Sequence, residues 1–317
     1  MVISSTSAEP RLSAILVVGS QRERAQRVVE ALCRQTAAAE IEIVVVDVAP
    51  AGTARLQAST HVPMTYETRP AAAYSEARAL GVRSARAPVV AFIEDHCHPA
   101  PGWAEALLEA HRDEWAAVGF CFTNANPETW LSRAGMVSAY GQWMAPAPRG
   151  PVSVLPSGNI SYKRNVLLEF DSQLERVLTP DFILLERLLD RGDRFFLESR
   201  AVGAHENAMN VLELARAHFD FSRLLGARRA EARSWGRARR AVYAALAPAG
   251  VPALSVFRLA RSMRGRRSLW PTVLTTLPVY LVGQVGAGLG EASGYLLGEG
   301  SSDEKVTWVE LSMSRVR

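Results

Sequence analysis

The stretch AYSEARALGVRSARAPVVAFIEDH, residues 73–96, decides the fold class. Its first part belongs to a segment, residues 71–84, that has the composition of a helix. Residues 89–93 are a short uncharged run typical of a buried strand, and they are followed at once by Glu94, Asp95 and His96. Polar side chains at the end of a buried strand that follows a helix are typical of a βαβ-based sheet.

The same alternation extends along the first 120 residues. The predicted elements there are strands at 12–18, 41–47, 63–67, 89–93 and 115–122, and helices at 22–34, 71–84 and 101–111. Beyond residue 124 they are a short strand and a helix near 164–169, a helix at 180–191, a strand at 194–197 and a loop that contains His205. The pattern predicts an α/β fold with a mostly parallel central sheet.

Candidate binding residues follow two of the predicted strands. Asp47 ends the strand IEIVVVD, and Glu94, Asp95 and His96 follow the strand at 89–93. Ligands of open α/β sheets bind at the carboxyl ends of the strands, where carboxylates can contact a ribose or hold a cation. The turn after the first strand has only one glycine, Gly19, which excludes a dinucleotide-binding fingerprint and a P-loop.

The order of several motifs resembles family 2 glycosyltransferases of the GT-A fold. LSAILVV, EIVVVD and residues 73–96 look like the nucleotide-binding half of that family, and GNISYKR, PDFILLERLLDRGDRF and AHEN resemble its acceptor half. The resemblance covers roughly residues 11–210. It implies a GT-A-type nucleotide-diphospho-sugar transferase fold and an inverting transfer of a sugar from a nucleotide-sugar donor.

The resemblance also implies roles for individual residues. Asp181 would be the general base that deprotonates the acceptor hydroxyl, and Asp47 and Asp95 would bind the nucleotide. Gly158 and Asn159 would line the donor-sugar side. A divalent cation, Mn²⁺ or Mg²⁺, would be held by Asp95, His96 and His205.

The sequence departs from the family pattern at three positions. Val48 stands where a second acid usually follows Asp47, Pro180 replaces the first acid of the pair before the catalytic helix, and His96 occupies a position that is usually an aspartate. A histidine ligand suits Mn²⁺ better than Mg²⁺. The Gln-x-x-Arg-Trp signature of processive synthases is absent from the sequence, which favours a single sugar transfer.

The net charge of +4 conceals a very uneven distribution. Residues 216–267 contain thirteen arginines and two acidic residues, so the rest of the chain is acidic overall. Residues 268–290 carry no charge, and Gly286, Gly290, Gly294 and Gly298 lie four residues apart, which places them on one helix face suited to close packing. A basic cluster beside an uncharged run is typical of the cytoplasmic membrane face.

Five segments are therefore expected. They are an N-terminal tail (1–10), a GT-A-like glycosyltransferase domain (11–215), a basic amphipathic helical neck (216–267), an apolar membrane-associated segment (268–298) and a C-terminal tail (299–317). The apolar segment can span the bilayer, lie in its interface as an amphipathic hairpin, or form a buried core helix. The neck lacks interleaved aromatics and any nucleic-acid-binding motif, so nucleic acid is not an expected partner.

We therefore expect a membrane-associated, non-processive glycosyltransferase at the cytoplasmic membrane face. No basic-then-apolar signal-peptide pattern occurs at residues 1–10, which favours the cytoplasm. The acceptor would be a glycan or a lipid-linked molecule, and the glycine face would permit a helix-mediated homo-oligomer. The alternative is a non-catalytic GT-A-like scaffold that binds a nucleotide-sugar and docks on the membrane. A nucleotidyltransferase is disfavoured because the turn after the first strand lacks a glycine-rich basic signature.

Overall fold

The computed structural model describes residues 9–59, 61–207 and 210–312. The strands are β1 (Leu12–Val18), β2 (Ile41–Asp47), β3 (Met64–Thr68), β4 (Val89–Phe92), β5 (Cys97–Pro99), β6 (Ala117–Asn124), β7 (Gly150–Val152), β8 (Ile160–Lys163) and β9 (Phe195–His205). The helices are α1 (Arg22–Cys33), α2 (Tyr74–Ser84), α3 (Trp103–Ala110), α4 (Trp130–Tyr140), α5 (Arg164–Leu168), α6 (Leu174–Leu178), α7 (Phe182–Asp190), α8 (Val211–Ala232), α9 (Arg237–Ser262), α10 (Trp270–Leu297) and α11 (Ser302–Leu311).

The strands form one mixed sheet in the order β3-β2-β1-β4-β8-β6-β9-β5, with β7 also paired to β9. Strands β1 to β4 are parallel to one another, and β8 runs antiparallel to both β4 and β6. The chain leaves β1 toward β2 and β3 and then crosses back to β4 on the other side of β1. This reversal creates a switch point between the carboxyl ends of β1 and β4, where ligands of α/β sheets bind.

Burial on both faces explains the continuous apolar strands. Every residue of β1 and β2 is buried, and alternate side chains of β1 enter two different cores. Leu16 packs in the cluster that contains Val28 and Leu32 of α1, whereas Ile15 packs with Val82 of α2. This is the two-residue period of a strand covered by helices on both faces. The predicted α/β class with a central sheet is thereby confirmed.

The structure differs from the sequence prediction at several elements, of which three bear on the site. Strand β9 continues for eleven residues, so His205 is its last residue and does not lie in a loop. Helix α4 was not predicted, because the stretch around it is rich in proline and glycine and has no clear apolar period. Helix α2 begins at Tyr74, after Ala71 with a positive φ of 60°, and therefore not at residue 71.

The region predicted as a neck is divided between two helices. Helix α8 runs across residues 215–216, the expected end of the catalytic domain, and α9 contains most of the remaining neck. Residues 1–8 of the N-terminal tail and 313–317 of the C-terminal tail lie outside the described residues. The segment after residue 299 includes α11, a ten-residue helix where only a tail was expected.

Helix α10 lies against α8 through its glycines. A Cβ on Gly290 would lie 2.2 Å from the Phe219 carbonyl oxygen, and one on Gly294 would lie 2.2 Å from that of Arg223. Gly286 meets the Ala215 carbonyl in the same way, at 2.8 Å. Three of the four glycines predicted to share one closely packed face therefore make that packing within the chain, whereas Gly298 lies just past the end of α10 and has no described atom within 4 Å of a Cβ position. Helix α10 also contacts α4 of the catalytic body and α9.

Candidate active site

A buried cluster of one carboxylate and two imidazoles lies beyond the carboxyl end of β4. Glu94, His96 and His205 each offer a ligand atom, and these atoms lie within 4.8 Å of one another. The Glu94 Oε2 atom is 3.2 Å from His205 Nε2 and 3.4 Å from His96 Nε2. The two imidazole rings meet edge to face with centroids 4.7 Å apart.

The carboxylate of Glu94 is held in place by residues from two other elements. The Tyr140 hydroxyl donates to Glu94 Oε2 at 3.1 Å, and the side-chain amide of Asn159 donates to the same oxygen. The side-chain oxygen of Asn159, Oδ1, in turn accepts a hydrogen bond from the Glu94 backbone N–H at 3.0 Å. Gly158 has a φ of +85°, and a Cβ there would lie 2.2 Å from Glu94 Oε1, so only glycine fits beside this carboxylate.

The donor set of this cluster fits a divalent transition metal. Carboxylate and neutral imidazole ligands suit Mn²⁺, Fe²⁺ or Zn²⁺, whereas Mg²⁺ favours oxygen ligands. His205 and His96 are buried, and the His205 Nδ1 atom lies 2.9 Å from the Asn207 carbonyl oxygen of the side chain. A fixed partner on the second ring nitrogen is what orients a metal-binding histidine.

Asp95, which the resemblance assigns to the nucleotide and the metal, is not a member of this three-residue cluster. Its carboxylate lies 2.9 Å from an Arg24 guanidinium nitrogen and 2.9 Å from His96 Nδ1. Asp95 therefore contacts the Nδ1 atom of His96, the other ring nitrogen from the one that Glu94 contacts, and Glu94 is the acid of the three-residue cluster. The sequence shows Glu94 beside these residues, but only the backbone turn after β4 decides which of the two acids contacts both histidines.

Asp181 is fully buried at the start of α7. Arg78 of α2 forms a two-point ion pair with it, and one of the two contacts, from Nη2 to Oδ2, measures 2.8 Å. The Arg78 guanidinium also lies 4.0 Å above the centre of the Phe92 ring. Burial opposes the charge on this guanidinium, but the Asp181 carboxylate outweighs it and raises the pKa of Arg78. Arg78 was not singled out from the sequence, because an arginine in an amphipathic helix usually faces solvent.

Asp47 lies at the end of β2 with an arginine partner of its own. Arg22 contacts both carboxylate oxygens, at 3.2 and 2.9 Å, and the Ala49 backbone N–H donates to Oδ1 at 3.0 Å. The Tyr66 hydroxyl also donates to Asp47, and burial together with this neighbouring carboxylate raises the pKa of Tyr66. Asp47 therefore sits in a polar, hydrogen-bonded pocket at the outer edge of the switch point.

A cavity of about 900 Å³ joins most of these residues. Glu94, His96, His205, Gly158 and Asp181 all line it. Asp47, Asp95 and Asn159 are not among its lining residues. The far wall is made of side chains from α8, α9, α10 and α11, so the C-terminal helices close the cavity over the sheet.

Helix α11 reaches the end of β1. Leu311 is buried with Val17, Val46 and Tyr74, and a Cβ on Gly19 would lie 2.5 Å from the Leu311 carbonyl oxygen. The Tyr74 backbone N–H donates to the Thr307 hydroxyl at 3.1 Å. No pattern in the sequence indicates this docking, because it depends on tertiary contacts of one short helix.

The sheet order and the cavity at the switch point are those of an α/β fold with its ligand site at the carboxyl ends of the strands. The resemblance to family 2 glycosyltransferases is confirmed as well: residues 13–169 match the model of glycosyl transferase family 2. No curated protein matches the sequence of the chain.

A solved structure with a similar fold is the mannosyltransferase PcManGT from Pyrobaculum calidifontis, in complex with GDP-Man and Mn²⁺. The TM-score is 0.50 at 13% sequence identity, and the match covers 91% of this chain and 87% of that chain. At this identity the similarity shows the fold alone, which is of the GT-A type.

Proposed function

We propose that the protein is a non-processive, inverting glycosyltransferase that transfers a sugar from a nucleotide-sugar donor to a glycan or lipid-linked acceptor. One observation carries the proposal: a single cavity is lined both by Asp181 and by the cluster of Glu94, His96 and His205. Inverting transfer needs a carboxylate beside the acceptor and charge neutralisation at the leaving diphosphate. Both elements are therefore available to one bound donor and acceptor.

The proposed chemistry assigns the proton to Asp181. Its carboxylate takes the proton of the acceptor hydroxyl, the acceptor oxygen forms a bond to the anomeric carbon, and the bond from that carbon to the diphosphate oxygen breaks. Asp47 would contact the nucleotide, and Gly158 and Asn159 would face the donor sugar. A divalent cation held by Glu94, His96 and His205, preferably Mn²⁺, would neutralise the leaving diphosphate. Asp95 would orient His96 for this role.

The catalytic assignment is tested with the Asp181→Asn variant. We expect its transfer or donor-hydrolysis rate to fall at least about 100-fold, because Asn keeps the shape of the side chain but accepts no proton. Rates are measured with UDP-, GDP- and dTDP-sugars in the presence of Mn²⁺. The matched control is Asp190→Asn, an exposed acid of the same helix that pairs with Arg233 and should keep the wild-type rate. Full activity in folded Asp181→Asn would show that the base is another group.

The non-catalytic alternative has support from the ion pairs. Asp181, Asp95 and Asp47 each contact an arginine of the same chain, so the three assigned acids are all occupied. A scaffold that binds a nucleotide-sugar without turning it over would show calorimetric binding and no product with any of the three donor classes. Turnover by the wild-type protein would exclude the scaffold.

Membrane association is proposed from the surface of α9 and α10. These two helices are long and apolar enough to cross a membrane. Thirteen of the large apolar side chains exposed in the described chain lie on them, Leu246 and Phe257 among the most exposed. Arg237 and Arg239 at one end of α9, and Arg258 and Arg261 at the other, flank an uncharged stretch at 241–257. Such a pattern suits an anionic cytoplasmic leaflet.

The packing of α10 favours lying in the interface over crossing the bilayer. Half of its apolar window is buried within the protein, and Glu291 near its end is paired with Arg229 of α8. A spanning α10 would have to leave α8 and α4, which its backbone contacts closely. A homo-oligomer through the glycine face would require the same separation. We therefore propose peripheral docking through the outer faces of α9 and α10.

A further inference from the structure

Helix α11 lies on the edge of the sheet where a donor nucleotide would bind. The switch point between β1 and β4 is the ligand position of such sheets, and Gly19 is the first residue after β1. The last turn of α11 reaches this position directly. Leu311 covers Gly19, and the Ser312 carbonyl oxygen accepts a hydrogen bond from the Gln21 side chain at 3.2 Å.

The polar groups that α11 engages are suited to a phosphorylated ligand. The Glu310 carbonyl oxygen accepts a 2.7 Å hydrogen bond from the Arg24 guanidinium, which also pairs with Asp95. The Thr307 hydroxyl accepts the backbone N–H of Tyr74, which opens helix α2. A guanidinium and a helix N-terminal N–H are both groups that bind phosphate oxygens. In this structure both donors bind oxygens of α11, the Glu310 carbonyl oxygen and the Thr307 hydroxyl oxygen, in the place of phosphate oxygens.

The attachment of α11 differs between its two ends. At its start, Arg228 of α8 pairs with Glu299 and Asp303, at 3.1 and 3.2 Å. The connection from α10 contains Gly298 and Gly300, with φ values of 76° and 55°. At the far end, the contacts of the last turn with the sheet include the buried Leu311 side chain and the hydrogen bonds accepted by the Glu310 and Ser312 carbonyl oxygens. Release of the last turn would uncover Gly19 without moving α8 or α10.

We propose that α11 is an intramolecular cover of the donor site, which a nucleotide-sugar displaces when it binds. This inference rests on the proposed function, because it takes the ligand of the switch point to be a nucleotide. The cover competes with the donor, so the observed donor affinity is the intrinsic affinity multiplied by the fraction of molecules in which the last turn is released. Weakening the cover therefore raises donor affinity.

The test compares the full-length wild-type protein with Leu311→Ala, using calorimetric binding of UDP, GDP and dTDP with Mn²⁺. Leu311→Ala removes the buried contact of the last turn, and we expect it to lower the Kd of the bound nucleotide at least about fivefold. Thr307→Ala, which removes the bond from the Tyr74 N–H and one hydrogen bond within α11 to the Asp303 carbonyl oxygen, should act in the same direction more weakly. Trp308→Ala is the matched control, because this side chain is 54% exposed and should leave the Kd unchanged.

Hydrogen exchange of residues 302–311 supplies a second measurement. Nucleotide binding to the wild-type protein should accelerate exchange in this helix. An unchanged or higher Kd in Leu311→Ala, or slower exchange of α11 on binding, would overturn the cover and make α11 a permanent wall of the site. If neither protein bound any of the nucleotides, the donor assignment of the proposed function would fall together with the cover. Equal nucleotide affinity of the wild-type protein and Leu311→Ala would contradict the proposed role of α11 as a cover and leave the donor assignment standing.

Discussion

At the residue scale, the acids of the site are balanced by arginines from two helices. Arg22 and Arg24 at the start of α1 pair with Asp47 and Asp95, and Arg78 of α2 pairs with Asp181. Removing one member of a buried pair leaves an uncompensated charge and costs about 3–5 kcal/mol. Asparagine at an acid position therefore perturbs folding as well as chemistry. A melting curve belongs with each activity measurement on such variants.

The metal assignment gives a prediction for Glu94→Gln. The amide cannot supply the negative charge that the cluster offers to a cation, so we expect Mn²⁺ affinity to fall at least about tenfold. Binding is followed by the electron paramagnetic resonance signal of free Mn²⁺. Glu206→Gln is the matched control, since Glu206 is a buried acid beside His205 that pairs with Arg27 outside the cluster. Wild-type affinity in Glu94→Gln would exclude Glu94 as a ligand.

Part of this candidate site could be predicted from the sequence. Asp181, His96 and His205 could be found from motif order, and the structure places all three on one cavity. Their roles stay predictions. The choice of Glu94 over Asp95 for the cluster depends on a turn that no periodicity reports. Arg78 and Tyr140 contact the site through tertiary packing, and nothing in their local sequence indicates it.

At the scale of elements, the strands that are buried along their whole length were the ones that the sequence predicted best. Strands β1, β2 and β4 are buried along their whole length, so an uninterrupted apolar run identified them. Strand β9 was underestimated because Glu198 and Arg200 interrupt its apolar run. The Glu198 carboxylate is buried, and it is paired with Arg149 and Arg200. Charged residues such as Glu198 and Arg200 are read as a turn in the sequence, because the ion pairs that allow them to occupy a strand are visible only in the structure.

The packing of α10 on α8 gives a second prediction. In Gly290→Ala the added methyl group would meet the backbone of Phe219, which cannot move aside without separating the helices. We expect a loss of about 1–3 kcal/mol in the free energy of unfolding, measured by chemical denaturation. Gly250→Ala on α9 is the control, because nothing lies within 4 Å of a Cβ there and alanine favours helix. A neutral Gly290→Ala would show that the two helices separate easily.

At the scale of the whole molecule, the arginines of residues 216–267 fall into two groups, one that forms ion pairs within the described chain and one that does not. Three arginines at the end of α8 form ion pairs within the chain: Arg228, Arg229 and Arg233 pair with acids of α7, α10, α11 and the turn before α11. Those at the ends of α9 form no ion pair within the described residues. The basic segment seen in the sequence therefore divides into an internal clamp and an outward-facing surface, a division that composition alone could not show.

The outward surface predicts binding to anionic membranes. We expect the wild-type protein to float with vesicles that contain phosphatidylserine or phosphatidylglycerol and to be released as salt is raised. The double variant Leu246→Glu/Phe257→Glu places two charges in the apolar face and should lose this binding. Leu168→Glu, an exposed site on α5, is the control. Flotation of the double variant equal to wild type would exclude α9 as the docking helix.

The meeting of α11 with the end of β1 also has a consequence for biosynthesis. Gln21 and Ser312, which share a hydrogen bond, are 291 residues apart. At about 5–20 residues per second, the ribosome adds the second partner roughly 15–60 s after the first. The sheet of a growing chain can thus form long before α11 exists. During that interval the carboxyl ends of β1 and β4 are not covered by α11, so the part of the sheet that the last helix closes in the finished chain is exposed to solvent in the nascent one.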